Sequence, residues 1–230
     1  MSKQVVILAA GMGTRLARPL PKPLTELRDG RSIMKQQFDN LELAFGDEFR
    51  AMIVVGFKLE AIIERFPEAT FVYNELYDQT NTSKSLLKAL RASGDGGVLW
   101  LNGDVVFHPE VLRRVTPLIE EGQSFVVVNT SKVSEEEVKY TLDSEGNILE
   151  LSKQVEAGLG EAVGINFVSA DDKAALIKRL DEVADSDYFE RGIERGIESD
   201  GLRFKPVDIS DLYAVEIDFD EDLARANELF

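Results

Sequence analysis

The chain has 230 residues, with 26 Lys+Arg against 42 Asp+Glu for a formal charge of −16, 44% hydrophobic residues and no cysteine. This length and apolar content support one sizeable core and argue against disorder, and the missing cysteine excludes disulfides, thiolate metal sites and a cysteine nucleophile. The acidic surplus disfavours phosphate backbones, no stretch approaches the roughly 18 to 20 apolar residues that span a bilayer, and the opening MSKQVVILAAGMG lacks a leader pattern; we expect a soluble, cytoplasmic protein with neither a nucleic-acid nor a membrane partner.

Short runs rich in Val, Ile, Leu and Phe alternate with amphipathic stretches, the pattern of an α/β domain around a mostly parallel sheet. Residues 4–9 predict the first strand, followed by a glycine-bearing loop and a helix over about 32–44, where Ile33, Met34, Phe38, Leu41 and Phe45 recur at helical spacing. A strand at 51–55, a helix at 59–66 and a strand at 70–73 complete a βαβαβ start. The polar segment 74–82 reads as a turn before a helix over 83–92, and 98–101 is the fourth strand, ending in the turn Asn102-Gly103-Asp104. Open α/β sheets place ligands at such carboxyl ends.

Pro109 suits the first turn of a helix reaching about 121, and 124–129 is again a strand. The runs 140–142 and 148–151 flank Asp143-Ser144-Glu145-Gly146-Asn147 as a hairpin. A strand at 162–168, helices at 171–184 and 188–197, strands at 203–207 and 213–217 and a helix from about 220 follow. No repeat, low-complexity tract or linker interrupts the chain. We therefore expect one domain, 1–230, with a core over about 1–130, a lid or subdomain over about 131–212, and a closing strand and helix at 213–230.

The most specific string is Leu8-Ala9-Ala10-Gly11-Met12-Gly13-Thr14-Arg15-Leu16, with Pro21-Lys22-Pro23-Leu24 close behind. Gly11 and Gly13 let a backbone approach a nucleotide and turn N–H groups to phosphate oxygens. Arg15 supplies a permanent forked cation for outer phosphates, and Lys22, between two prolines, a stiffly placed point charge. A bare glycine pair reads better as an ordinary strand-to-helix turn with surface cations; the two motifs together reverse that and favour phosphate chemistry. Neither the GxxxxGK[ST] loop nor a complete dinucleotide fingerprint is present.

The AAGMGTRL loop and the PKPL segment resemble the signature of nucleotidyltransferases that join a nucleoside triphosphate to a phosphorylated small molecule. Within that superfamily the chain is most similar to bacterial phosphocholine cytidylyltransferases, through 73–86, Asn102-Gly103-Asp104, 160–165 and 215–223. The resemblance implies a Rossmann-like nucleotidyltransferase fold with a mostly parallel mixed sheet flanked by helices, in which about 1–130 form the nucleotide-binding core, about 131–212 the acceptor-side or lid portion, and 213–230 the metal-bearing strand and C-terminal helix. It also implies that Lys22, Arg15 and Asp104 are catalytic and that Asp104 and Asp218 hold Mg2+. Glu216 lies on the same strand face as Asp218 and is a reserve acid. Taken alone, each aspartate is as readily a turn or cap residue.

The resemblance further implies a nucleotide site from Leu8, Ala9, Ala10, Gly11, Gly13, Thr14, Arg15, Thr80, Asn81, Thr82, Ser85, Asn102 and Gly103. The related pattern commonly carries asparagine where this chain has Thr82. A quaternary ammonium on the acceptor needs an aromatic wall and a carboxylate; Tyr77, Glu161, Tyr188, Phe189 and Glu190 are the candidates, with helix core the competing reading for Tyr188 and Phe189 and a solvated face that for Glu190. His108 reads as a residue of the helix start, Trp100 as core, and the acidic run 134–137 as a solvated helix start. The expected activity is transfer of CMP from CTP to a small phosphorylated acceptor, phosphocholine first, giving CDP-choline and pyrophosphate. A sugar-1-phosphate nucleotidyltransferase using UTP, dTTP or GTP and a silent nucleotide-binding regulatory module are the alternatives.

Overall fold

The computed structural model describes residues 2–13, 16, 18–131, 133 and 137–229. β1 (Lys3–Ala9) lies at the heart of the sheet. Its Val5, Ile7 and Ala9 join one apolar cluster and its Val6 and Leu8 the other, so both faces are covered, as in a parallel sheet between helices. α1 (Ile33–Phe45) begins where the Ser32 hydroxyl accepts from the Lys35 N–H, and then come β2 (Phe49–Val55), α2 (Leu59–Arg65), β3 (Thr70–Tyr73), α3 (Thr82–Ala92) and β4 (Val98–Asn102). The expected βαβαβ start is present: β1 pairs parallel with β2 and β4, and β2 with β3.

The expected turn after β4 runs into β5 (Val105–Phe107), a three-residue strand that sequence reading leaves unassigned. α4 (Glu110–Glu120) and β6 (Phe125–Asn129) follow. β7 (Lys139–Leu142) and β8 (Ile148–Ser152) form the expected hairpin, closed by the Asp143 carboxylate accepting from the N–H groups of Glu145 and Asn147. β9 (Glu161–Val168) enters the main sheet antiparallel to both β4 and β6 and makes it mixed. α5 (Ala170–Glu182), α6 (Phe189–Asp200) and β10 (Lys205–Asp208) complete a sheet of order β10-β6-β9-β4-β1-β2-β3. β11 (Ala214–Glu216) lies outside it, paired antiparallel with β5, and leads into α7 (Asp220–Asn227).

The cluster on one face draws on α1, α2 and α4, and that on the other on α3, α5 and α6 with the β7–β8 hairpin. Trp100 is fully buried in the second and meets Phe189 edge-on at 5.5 Å. A third cluster joins Leu16, Leu27, Ile33, Val106, Ile217, Leu223 and Ala226. It packs the C-terminal helix beneath the glycine loop, and burial of a side chain such as Ile217 is worth about 1.5–3 kcal/mol. Among the described residues no helix is long and apolar enough to cross a membrane. The His108 ring accepts the Glu110 N–H through Nδ1, the helix-start role expected of it. Of the acidic run 134–137, only Glu137 is among the described residues.

Candidate active site

A cavity of about 810 Å³ opens at the carboxyl ends of β1 and β4, where a parallel sheet presents backbone groups and side chains to a ligand. One wall is the end of β1, Leu8 and Ala9, and the loop after it, with Gly11, Met12 and Gly13; the start of β9 and the start of α6 also line the cavity. Gly13 has φ +58°, and a Cβ there would lie 3.1 Å from the Lys22 Cβ, so loop and lysine are packed as one unit. Lys22 itself sits on a one-turn 3-10 helix, Lys22–Leu24.

The Lys22 ammonium lies 2.7 Å from Asp104 Oδ2 and 2.5 Å from Asp218 Oδ1. Burial draws its pKa down, but the two carboxylates outweigh burial and hold it above the usual lysine value. Glu216 joins the group: one oxygen from each of Asp104, Glu216 and Asp218 lies within 4.8 Å of the others. Burial, then the charges of Asp104 and Glu137, push the Glu216 carboxyl well above its ordinary value, with Lys22 opposing. Asp104 Oδ1 is buried without a hydrogen-bond partner. Hard oxygen donors so clustered, one of them unsatisfied, fit a divalent cation such as magnesium.

This register is set by the backbone. The Ile217 N–H donates to the Asp104 carbonyl at 3.0 Å, and the Gly103 N–H donates to the Leu8 carbonyl at 3.0 Å, which ties the two acidic residues and the glycine loop together. The Asp222 carboxylate accepts from the N–H groups of Asp218 and Phe219 and fixes the start of α7. Beneath the turn, three amides of α1 are buried. Gln37 donates to the carbonyls of Asn102 and Val105, and Gln36 and Asn40 both donate to that of Phe107. Backbone carbonyls freed by the short turn between β4 and β5 thus find partners, as buried polar groups require.

Among the predicted nucleotide residues, Leu8, Ala9, Gly11, Gly13, Thr80, Asn81, Thr82 and Asn102 line the cavity. Ala10, Gly103 and Ser85 do not line it. The Ala10 carbonyl accepts from the Phe57 N–H, Gly103 packs against Leu8 and Pro23, and the Ser85 hydroxyl accepts from the Asn74 amide. Thr14 and Arg15 lie outside the described residues. Asn81 caps α3 and donates to the Ser186 carbonyl, and the Thr82 hydroxyl accepts from the Phe189 N–H at 3.1 Å. The threonine thus joins α3 to α6.

The predicted acceptor residues Tyr77, Glu161, Tyr188, Phe189 and Glu190 all line the same cavity, but with different environments. Phe189 is core, 1% exposed, whereas Tyr188 is 42% exposed at the rim. The competing helix-core reading therefore holds for one of the pair. Glu190 is buried, its Oε2 has no hydrogen-bond partner, and burial above all pushes its pKa up to about 7. Sequence reading missed Lys153, on the loop after β8, whose ammonium stands over the Tyr188 ring at 5.1 Å. It also missed Glu137, Asp222 and Arg225, all in the cavity wall. Lys153 and Arg225 belong to no periodic pattern or local motif; Asp222 lies in the segment 215–223, with no role of its own there, and Glu137, read with its acidic run as a solvated helix start, stands instead in the cavity wall.

An α/β cavity with a lysine set between two aspartates, facing a glycine loop, is the arrangement of a nucleotidyltransferase. The chain belongs to the family described as the MobA-like NTP transferase domain, which matches residues 5–180. It is 28% identical over 248 residues to the CMP-5'-(3-aminopropyl)phosphonate synthase of Streptomyces rubellomurinus, covering 99% of this chain and 38% of that protein. The chain spans well under half the length of the curated relatives it matches. Its fold is that of the inositol-1-phosphate CTP transferase from T. maritima, with a TM-score of 0.81 at 19% identity over 99% of this chain and 94% of that one. The CTP:phosphocholine cytidylyltransferase LicC from Streptococcus pneumoniae superposes with a TM-score of 0.77 at 19% identity, over 100% and 99% of the two chains.

Proposed function

We propose that the protein transfers CMP from CTP to a small phosphorylated acceptor in the cytoplasm. A phosphate oxygen of the acceptor forms a bond to the α-phosphorus as the bond to the bridging oxygen of the β-phosphate breaks, and pyrophosphate leaves with that electron pair. No covalent enzyme intermediate is needed, so the chain contributes alignment and charge. The observation that carries this reading is the Lys22 ammonium between Asp104 and Asp218, in a cavity that also reaches the β9 and α6 wall.

In this reading the backbone from Leu8 to Gly13 and the side chain of Asn102 receive the nucleotide, with Thr80, Asn81 and Thr82 at its far side. Arg15 takes the departing pyrophosphate, and Lys22 neutralises charge on the α-phosphate and the incoming phosphate. Asp104 and Asp218, with Glu216 in reserve, hold magnesium, which when bound supplies positive charge at the α-phosphate. The wall is otherwise acidic, with Lys22, Lys153 and Arg225 its cations among the described residues. Local cations and metal are therefore essential for a triphosphate to enter. The portion 131–212 serves the acceptor. CTP as donor is supported by the names of the aminopropylphosphonate, inositol-phosphate and phosphocholine relatives.

The acceptor carries a cationic head, with Tyr77, Tyr188, Glu161 and Glu190 as its surroundings, and phosphocholine is the first reading. A primary ammonium is the second, and one observation favours it: Glu190 Oε2 is buried without a donor, a need that a quaternary ammonium cannot meet. The test is pyrophosphate release with Mg2+ for CTP, UTP, dTTP, GTP and ATP against phosphocholine, aminoalkyl phosphates and phosphonates, and sugar 1-phosphates. Turnover confined to CTP with a cationic acceptor supports the proposal; turnover only with a sugar 1-phosphate overturns the acceptor assignment.

A further inference from the structure

A second cavity, of about 550 Å³, opens on the other side of the turn that carries Lys22. Lys22 and Pro23 line the substrate cavity, whereas Leu24 and Thr25 line the second one, so one short segment is the wall between them. The acidic balance of the chain reverses here. Arg18, Arg31, Lys35 and Arg65 line the second cavity, and Glu26 is the one acid among its lining residues. The carboxylates that pair with three of these cations, Asp220 with Arg18, Asp29 and Asp39 with Arg31, and Asp39 with Lys35, are not part of the lining. Arg65 donates to the Ala61 carbonyl of its own helix and has no ion pair among the described residues. Thr25, Gly30 and Ser32 also line it, and its apolar part is Pro19, Leu20, Leu24 and Phe66: Leu20 is 39% exposed, and Phe66 is half-buried, stacked at 4.9 Å on Phe38.

Forked guanidinium groups and an ammonium suit a phosphate, and a proline, two leucines and a phenylalanine in the same wall suit a flat apolar group. We propose that this cavity is a second ligand site, for a small organic phosphate with an aromatic or apolar portion, separate from the substrate cavity. Its occupant reaches the reaction centre by two short connections. One is the Lys22–Leu24 turn, and the other is the Arg18–Asp220 ion pair at 2.8 Å, since Asp220 stands two residues beyond Asp218. A ligand that draws on Arg18 or presses on Leu24 therefore changes the setting of Lys22 and Asp218, and binding and turnover are coupled.

The probe is phenyl phosphate, titrated into the full chain and followed by amide 1H–15N shifts, so that binding is read without turnover and independently of which reaction the substrate cavity performs. The expected result is saturable shifts at Leu20, Gly30, Ser32 and Phe66, separate from any at Gly11 and Gly13. Lys35→Ala/Arg65→Ala weakens that binding at least tenfold with an unchanged melting temperature; Arg65→Ala alone, at an exposed position, is the second variant. Shifts confined to Gly11 and Gly13, or equal affinity in both variants, overturn the site. Equal affinity for inorganic phosphate overturns its apolar half. Saturating phenyl phosphate should change the rate of pyrophosphate release at least twofold in the wild type and not in the double variant, and an unchanged wild-type rate overturns the coupling.

Discussion

The Lys22 ammonium stands 2.7 Å from Asp104 and 2.5 Å from Asp218, inside the group of oxygens that fits a divalent cation. The lysine thus serves as the cation of that group in the ligand-free chain, and metal arriving there must take over carboxylate oxygens that Lys22 holds. Without nucleotide, Lys22→Ala should therefore bind Mn2+ about tenfold more tightly, a gain of about 1.4 kcal/mol, while turnover falls by roughly 100-fold or more. Manganese EPR titration reads the first effect, and wild-type affinity in the variant would contradict it.

Asp104→Asn should lower turnover by roughly 100-fold and raise the magnesium concentration needed for half-maximal rate. The turn that carries it remains gripped by Gln37 and by the Gly103–Leu8 hydrogen bond, so the fold should survive. A variant with an unaltered magnesium titration would show that the ligand is elsewhere.

The buried amides of α1 are a separate test of how the site is held. Gln37→Ala leaves the carbonyls of Asn102 and Val105 without this donor, at a cost of about 1–3 kcal/mol. Thermal unfolding should show that loss, together with a weaker magnesium response because Asp104 lies between the two freed carbonyls. A destabilised variant with a normal magnesium response would separate stability from site placement.

Glu190 gives a pH signature. Burial raises its pKa to about 7 from an ordinary 4.5, so above that lower value the native state keeps a proton that the unfolded chain has released. Its contribution is complete below the unfolded pKa and is lost as pH rises through 7. Glu190→Gln should thus gain on the wild type between about pH 5 and 8, by roughly 1–3 kcal/mol, in urea unfolding. A constant difference across that range would show that the carboxyl is ionised throughout.

Gly164 has φ +71°, and a Cβ there would lie 2.6 Å from the Asn102 amide nitrogen. Gly164→Ala should cost about 1–3 kcal/mol from the strained backbone and displace Asn102, raising the KM for CTP more than it lowers kcat. Unchanged kinetics would remove Asn102 from the nucleotide site.

Most of the sheet was legible because its strands are continuous apolar runs and its helices repeat Leu, Ile and Phe at helical spacing. Where the reading missed, the cause was local. Val105-Val106-Phe107 is too short a run to separate from the turn before it; the strand expected over 213–217 is present as β11, but its pairing with β5 outside the main sheet is set only in three dimensions. Gln36, Gln37 and Asn40 look like a solvated helix face, yet they are buried because the turn after β4 leaves carbonyls in need of donors. The glycine loop, Lys22, Asp104 and Asp218 stood out as motifs. Lys153 did not, since nothing in its neighbours predicts that its loop folds back over Tyr188.

The most direct measurement of the central claim is 31P NMR of the protein with CTP, Mg2+ and phosphocholine or an aminoalkyl phosphonate. The account predicts two coupled signals of a new P–O–P linkage between CMP and the acceptor, growing in step with pyrophosphate. Acceptor signals that stay unchanged while CTP breaks down to CDP and phosphate, or no change with any cationic acceptor, would contradict it.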